Sequence, residues 1–384
     1  MAPSHFDQTV RDWSARKHAI LKDYLPTFCT ALSRRAAGEI IWYVDGYAGA
    51  GVYKDSSNPN DHGEPGSPVL AAQETQKLRY NIRCLNVEED QDNFESLQRE
   101  TSLFLHVENI HADFNDVIDD VLQRVQNSPS FFFLDPFGIK DLPMEGLIDR
   151  IALRTKQTDV LLRYATETVR RVAGAYEKDV VRSAAHAQNL DKWFRGNQWR
   201  ITLQQHPAGP KRDEELLKYY ERQLVSISGG RLKFAKDYPI RSIDGQVRYH
   251  LVFATGNRLG IKLMSDILYK AEAQYRIDQE IYQQQTSPPY NQLGMFDEAM
   301  PDPATYQAQQ IQAVILRVGQ NIKQDWEFDE LRCELILNQN WFARLSEKEF
   351  RAACKALHTQ SRIKRLTPGG AWRRGISLQI EPDP

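Results

Sequence analysis

Between residues 11 and 33 the apolar positions Trp13, Ile20, Leu21, Tyr24 and Leu25 recur at helical spacing, which predicts an amphipathic helix. Beyond it, compact apolar runs alternate with stretches of helical period. The pattern predicts strands over 40–45, 82–88, 103–110, 130–135 and 159–164, and helices over 67–78, 90–100, 114–126 and 142–154. Strands that alternate with helices predict an α/β fold, a mainly parallel sheet covered on both faces. Residues 166–230 are mostly helical in period and read as an insertion or a cap. Two more strands, near 232–240 and 248–255, are joined by RSIDGQ, whose Asp244-Gly245 pair suits a tight hairpin turn.

The periodicity fades over 283–305, QQQTSPPYNQLGMFDEAMPDPAT, a Gln- and Pro-rich stretch that reads as a linker. It separates a first domain, 1–282, from a second, 306–384. The second has helical candidates at 306–320, 327–338 and 346–358, the last with a capping-box signature in Ser346 and Glu349. Pro368-Gly369-Gly370 then turns between two strand-like segments. Three helices followed by a hairpin are the element order of a winged helix.

Composition narrows the function classes. In 384 residues, 26% are charged and the net charge is −2, which argues against a general nucleic-acid coat while leaving room for a local basic face. No apolar run approaches the roughly 18–20 residues of a membrane span, and the first 25 residues lack the apolar core of a secretory signal. Cys29, Cys84, Cys333 and Cys354 are far apart and form no C-x-x-C. No metal site or disulfide is expected, and a reducing cytoplasm is.

Candidate chemistry begins at WYVDGYAGAGVY, residues 42–53. Asp45 falls at the carboxyl end of the first strand, the edge where open α/β sheets bind ligands. Gly49 and Gly51 let backbone N–H groups approach a ligand closely. The spacing around Tyr47, D-x-aromatic-x-G-x-G, departs from the G-x-G-x-x-G of pyrophosphate binders, which disfavours NAD. A plain turn also accounts for these glycines. The second strand ends at Glu88, placed to accept both hydroxyl hydrogens of a ribose; Glu88-Glu89-Asp90 equally suits a helix N-terminus. The third leads to Asp113, an acceptor for an adenine amine or an N-cap for the next helix. Three acids at three successive strand ends with a glycine loop describe a nucleoside site without a phosphate clamp. That matches S-adenosylmethionine better than ATP.

FFFLDPFGIK, residues 131–140, ends the fourth strand. Asp135 emerges beside the proposed cofactor, Pro136 stiffens the turn, and Phe137 offers a ring to a planar substrate, with Gly138 leaving room. A base's exocyclic amine is a poor nucleophile because its lone pair is delocalised. A carboxylate and a backbone carbonyl accepting its two hydrogens favour a pyramidal nitrogen whose lone pair points at a sulfonium methyl. The plain alternative is that Asp135 caps a helix and Phe137 packs in the core.

RKHAILKDYLPTF, YVDGYAGAGVY, GSPVLAA, FFFLDPFGIKDLPM and FATGNRLGIKLM together resemble the three-Cys-motif partner family over residues 16–265. The resemblance implies a Rossmann-like class I methyltransferase sheet with an antiparallel seventh strand, and a three-Cys-motif protein as partner. DGYAGAG is also similar to the D-x-F-x-G-x-G cofactor loop of class I methyltransferases, with Asp45, Gly49 and Gly51 matching and Tyr47 standing for Phe. DPFG is similar to the fourth motif of tRNA guanine amino-methyltransferases and to the D-P-P-[YF] motif of base amino-methyltransferases. Carried over, Asp135 orients the amine and Phe137 stacks, although Gly138 stands where the latter motif has its aromatic. KDSSNPNDHGEPGS, residues 54–67, departs from a simple strand-loop-helix and reads as a lid or a surface loop; His62 within it reads as a solvated loop histidine, with a base as the alternative.

Residues 343–376 carry nine basic side chains against Glu347 and Glu349. Lys348, Arg351 and Lys355 share a helical face by spacing, and Arg373 and Arg374 follow Trp372 on the expected wing. They are candidate contacts to DNA or RNA; a solvated helix in a protein-docking domain is the alternative. Residues 170–200 hold Arg, Trp and Phe suited either to a substrate groove or to a helical cap. The expectation is an S-adenosylmethionine-dependent methyltransferase acting on an exocyclic amine of a nucleobase. The alternatives are a non-catalytic partner of a three-Cys-motif protein and a DNA-binding regulator.

Overall fold

The computed structural model describes residues 12–33, 38–53, 63–136, 138–286, 303–367, 371–372 and 374–381. The chain divides into two compact units, Met1–Leu263 and Met264–Pro384.

The first unit is built on seven strands: β1 (Ile41–Asp45), β2 (Ile82–Glu88), β3 (Val107–His111), β4 (Ser130–Leu134), β5 (Thr158–Tyr164), β6 (Phe234–Arg241) and β7 (Val247–Thr255). Their order is β3-β2-β1-β4-β5-β7-β6. The first five run parallel; Val44 of β1 sits between Leu85 of β2 and Phe132 of β4. β7 lies antiparallel to both β5 and β6. This is the Rossmann-like class I methyltransferase sheet, with its last strand reversed. Strand order turns back between β1 and β4, and such a switch point opens a crevice at the carboxyl ends of the strands.

Alternation along the strands sorts side chains to two faces. Phe131 points to α1 (Asp12–Ser33), where its ring lies 5.1 Å from Tyr24 and 5.7 Å from Phe28. Tyr24 also donates to the buried Asp159 at 2.6 Å, tying the helix to the base of β5. α1 packs beside α2 (Ser67–Gln76), and α2 beside α3 (Gln91–Thr101). On the other face Phe132, Leu134, Val160 and Leu162 meet Phe114, Ile118, Val121 and Val125 of α4 (Phe114–Val125).

The turn and helix after β4 differ from the expected helix over 142–154. Pro143 lacks a donor and Gly146 takes a φ of 85°, so Met144–Ile148 form an irregular wide turn. Only the short α5 (Asp149–Ala152) follows. The expected strand over 103–110 begins later, at Val107, because 102–106 close turns on α3 and leave Leu103 and Leu105 exposed. Residues 166–230 form α6 (Thr166–Lys178), α7 (Ala184–Phe194), α8 (Trp199–Gln205) and α9 (Pro210–Ile227). Their aromatics pack into the core: Trp193 lies 5.9 Å from Tyr164 and 5.3 Å from Tyr220. The segment is therefore a cap on the sheet, and Trp193, Phe194 and Trp199 are buried.

α10 (Arg258–Thr286) begins in the first unit and continues into the second. Of the expected linker, 283–286 complete this helix, 303–305 open the next, and 287–302 lie outside the described residues. The second unit then holds α11 (Pro303–Asn321), β8 (Asp325–Glu327), α12 (Phe328–Asn338), α13 (Glu347–Thr359), β9 (Ile363–Arg365) and β10 (Ser377–Ile380). β10 pairs antiparallel with both β8 and β9. β8 adds a strand between the first two helices that the periodicity did not announce. The capping box forms: the Glu349 N–H donates to Ser346 Oγ at 3.2 Å, and the Ser346 N–H to Glu349 Oε2 at 3.0 Å. Among the described residues, no helix is long and apolar enough to cross a membrane.

Candidate active site

A cavity of about 580 Å³ opens beyond the carboxyl ends of β1 and β4, within the roughly 300–1,000 Å³ of small-molecule sites. The loop after β1 forms its near wall. Gly46 approaches Leu134 and Phe114 so closely that a Cβ would stand 2.8 Å from Leu134 Cδ2 and 3.0 Å from the Phe114 ring. Gly49 adopts a φ of 67°, which glycine takes without strain, and faces the cavity. Tyr47 also lines it; its ring meets Phe114 edge-on at 5.6 Å, and its hydroxyl donates to the Asp141 carbonyl.

Asp45 and Gly51 are placed differently from the expectation that they touch the cofactor. Asp45 is fully buried and stands beneath the loop. It accepts from Tyr43 Oη at 3.0 Å, from the Tyr47 N–H at 3.2 Å and from Ser67. Burial pushes its carboxyl up to about 6, against the pull of those three donors and of Lys17. Asp45 therefore fixes the loop from below. Gly51 lies buried behind Gly49, where its carbonyl accepts from the Gly66 N–H at 2.8 Å. Neither lines the cavity, because the loop turns its backbone inward and leaves both on the protein side.

Glu88 and Asp113 do face the cavity. Glu88 accepts the Gly49 N–H at 2.7 Å through Oε2 and the Asp90 N–H at 3.0 Å through Oε1. One lone pair on each oxygen remains for a ligand hydroxyl. The helix-start alternative for this segment is met by Asp90, which caps α3 through the Asn93 N–H at 2.9 Å. Asp113 caps α4 through Oδ1, which accepts the Asn115 N–H at 2.8 Å, and lines the cavity as well. Asp141, absent from the sequence-based candidates, joins them. Among the described lining residues, Glu88, Glu89, Asp90, Asp92, Asp113, Asp135 and Asp141 face a single lysine, Lys17. Burial and the neighbouring acids raise the Glu89 carboxyl, and burial together with Asp113 raises that of Asp141.

Asp135 does not cap a helix. Lys17 of α1 donates to its Oδ2 in an ion pair, and Arg163 of β5 stands 3.7 Å from its Oδ1. The side chains of Lys17 and Asp135 are 6% and 13% exposed. Burial alone would lower the Lys17 ammonium, but the charge of Asp135, with Tyr53 and Tyr249 nearby, outweighs it and raises the group. The Arg163 guanidinium stacks 4.5 Å above the Tyr249 ring. Among the described residues, three buried polar atoms around this corner, Asp135 Oδ1, Arg163 Nε and His18 Nε2, have no hydrogen-bond partner. Pro136 is buried and lines the cavity. Phe137 and His62 lie outside the described residues.

Lys17 and Arg163 were missed by motif reasoning. A signal for Lys17 was present: it lies on the apolar stripe of α1, three and four residues before Ile20 and Leu21, where a charge is out of place. Arg163 lies next to the end of β5, a usual place for a charge, and gave no such warning.

In the second unit Lys348 and Lys355 are exposed on α13, whose other side buries Phe350, Ala353, Cys354 and Leu357. Arg351 pairs with Glu347 one turn back. Arg374 stands 3.8 Å from Asp329, and Arg365 stacks 5.2 Å over Trp372. Arg373 lies outside the described residues.

No family model and no curated protein matches this sequence. Among solved structures it is similar to a Legionella pneumophila protein of the DUF519 family model, at 12% identity over 72% of this chain and 93% of that one, with a TM-score of 0.40. It is similar to an O-methyltransferase of Bacillus cereus in complex with SAH, at 13% identity over 64% and 83%, TM-score 0.33. A third is M. jannaschii TYW2 in complex with AdoMet, at 12% identity over 64% and 75%, TM-score 0.30. Likenesses this distant carry no argument about activity; the fold stands on its own strand order and register.

Proposed function

We propose that this protein is an S-adenosylmethionine-dependent methyltransferase acting on an exocyclic amine of a nucleobase in nucleic acid or a nucleoside. One observation carries the reading: a single cavity at the strand-order switch is lined by the glycine loop, Glu88, Asp113 and Asp135. The donor set fits the cofactor. Glu88 keeps lone pairs for ribose hydroxyls, and the crowd of acids favours a ligand bearing sulfonium and ammonium charges while repelling the phosphates of ATP or NAD.

When bound, S-adenosylmethionine supplies an electrophilic methyl: the acceptor nitrogen's lone pair forms the N–C bond as the S–C bond breaks, leaving a thioether, and the nitrogen's surplus proton passes to water. Asp135 accepts a hydrogen of the amine and so turns its lone pair out of conjugation. Gly46 lets the loop pack against Leu134 and Phe114, and Gly49 lets its backbone close on the nucleoside without a side chain intervening. In the second unit, helix, strand, two helices and two strands closing a three-stranded antiparallel sheet support a winged-helix reading. The exposed Lys348 and Lys355 support contact with nucleic-acid phosphates.

Isothermal titration with S-adenosylmethionine and its demethylated product, against ATP and NAD, tests the cofactor. Labelled-methyl transfer to nucleic acids and nucleosides tests the reaction. Cofactor bound without transfer to any such pool, and stable co-purification with a three-Cys-motif protein, would instead favour a non-catalytic partner.

A further inference from the structure

The corner of the cavity at Asp135 has the opposite electrostatics from the rest. The charged and titratable groups facing Asp135 are Lys17 from α1, Arg163 from β5, Tyr53 from the segment after the glycine loop and Tyr249 from β7. Two cations thus surround one carboxylate. Lys17 holds Oδ2, whereas Oδ1 is buried, has no hydrogen-bond partner among the described residues, and has Arg163 beyond hydrogen-bonding distance. A carboxylate held at one oxygen cannot rotate freely, so its other oxygen points in one fixed direction.

We propose that Lys17 is the positioning residue of the acceptor site, and that the Lys17–Asp135–Arg163 cluster restricts the acceptor to a neutral aromatic amine. This rests on the methyltransferase reading and deepens it. Lys17 locks the rotamer that presents Oδ1 to an incoming N–H. Since Asp135 is already charge-compensated, an aliphatic ammonium such as that of spermidine or lysine finds no vacant counter-charge there and meets two like charges. A nucleobase amine carries no charge and needs only a hydrogen-bond acceptor, which Oδ1 supplies.

The test measures labelled-methyl transfer by the full chain to adenine- and cytosine-rich polynucleotides, to free nucleosides, and to spermidine. Wild type, Lys17→Met, Lys17→Arg, Asp135→Asn and the Lys17→Met/Asp135→Asn double variant are compared. Wild type is expected to methylate a base amine and not spermidine. Lys17→Met is expected to lose roughly 100-fold in kcat, the scale of a misplaced reacting group, with cofactor affinity changed less than about twofold. Lys17→Arg should regain part of the loss, and the double variant should be no slower than Asp135→Asn alone. Wild-type kcat in Lys17→Met, losses that multiply in the double variant, or spermidine as the preferred acceptor would each overturn the proposal while leaving methyl transfer in place. A wild type that binds cofactor and methylates nothing would sink the underlying reading together with this one. If Lys17→Met fails to fold, the double variant removes Lys17 and its counter-charge together and leaves only the partly exposed Arg163 charged at this corner, and the acceptor panel with wild type still decides.

Discussion

The two ends of the cavity solve opposite problems with the same residue type. At the β2–β3 end, carboxylates gather with few cations, and Glu88 and Asp113 are held by backbone N–H groups. At the β4–β5 end a lone carboxylate, Asp135, is held by a buried lysine and flanked by an arginine. Backbone donors leave the first group its negative field, which suits a cationic ligand. Side-chain cations cancel the field of the second and leave a hydrogen-bond acceptor. In the proposed reading, environment rather than residue identity divides the acids into charge binders and a group that orients an uncharged partner.

The sharpest way to break this contrast is to neutralise one acid at each end. Asp135→Asn is expected to lower kcat at least about 100-fold while the cofactor Kd, measured by titration, stays within about twofold. It also leaves Lys17 buried without its counter-charge, so the melting temperature should fall as well. Glu88→Ala is expected to do the reverse: a cofactor Kd weaker by about 10–100-fold, the value of a hydrogen bond to a charged group, with kcat at saturating cofactor changed only a few-fold. Equal effects on both parameters from both variants would erase the distinction between the two ends.

The second unit provides a milder test, because its proposed interaction is with phosphates alone. Reversing two charges, Lys348→Glu with Lys355→Glu, is expected to weaken nucleic-acid binding about tenfold or more. It should also flatten the dependence of log K on log salt by about two, one for each phosphate that no longer meets a lysine. Cofactor affinity should not change. Unchanged nucleic-acid affinity would shift that helix face to the protein-docking role.

How much of this was visible beforehand depends on the range of the interaction concerned. Most strands of the sheet were legible because they are short apolar runs bounded by turns, and Asp135 because it follows the most apolar of them; β3, VENIH, was expected too early because the apolar Leu103 and Leu105 precede it. Local caps were legible too: Ser346 with Glu349 needs only a four-residue window. The role of Lys17 was not, since its partner lies 118 residues away and only the folded sheet brings α1 to the end of β4. Asp45 was mislocated for a related reason. A strand-end position specifies that a side chain sits near the crevice, but not whether the loop turns it toward ligand or core. Strand β8 escaped because its three residues are too few for a period to show.

Asp45 offers the smallest and most specific effect, since its acidity links the buried side of the loop to pH. Its carboxyl lies at about 6 in the fold, above its ordinary 3.8, with burial as the main cause. A group whose folded value is raised stabilises the fold fully below the unfolded value and loses that contribution as pH rises through the folded one. At pH 5 the wild type retains roughly one pH unit's worth of it, about 1.4 kcal/mol, and by pH 8 it has lost it. Asp45→Asn does not titrate. It gives up one acceptor oxygen toward Tyr43, Ser67 and the Tyr47 N–H, so it should melt below wild type at pH 5. The gap should then narrow by about 3–5 °C by pH 8, because only the wild type weakens over that range. Melting curves at the two pH values decide the matter. A gap that stays the same from pH 5 to pH 8 would mean that the three donors outweigh burial and hold Asp45 ionised throughout, which would return it to the electrostatics of the β2–β3 end.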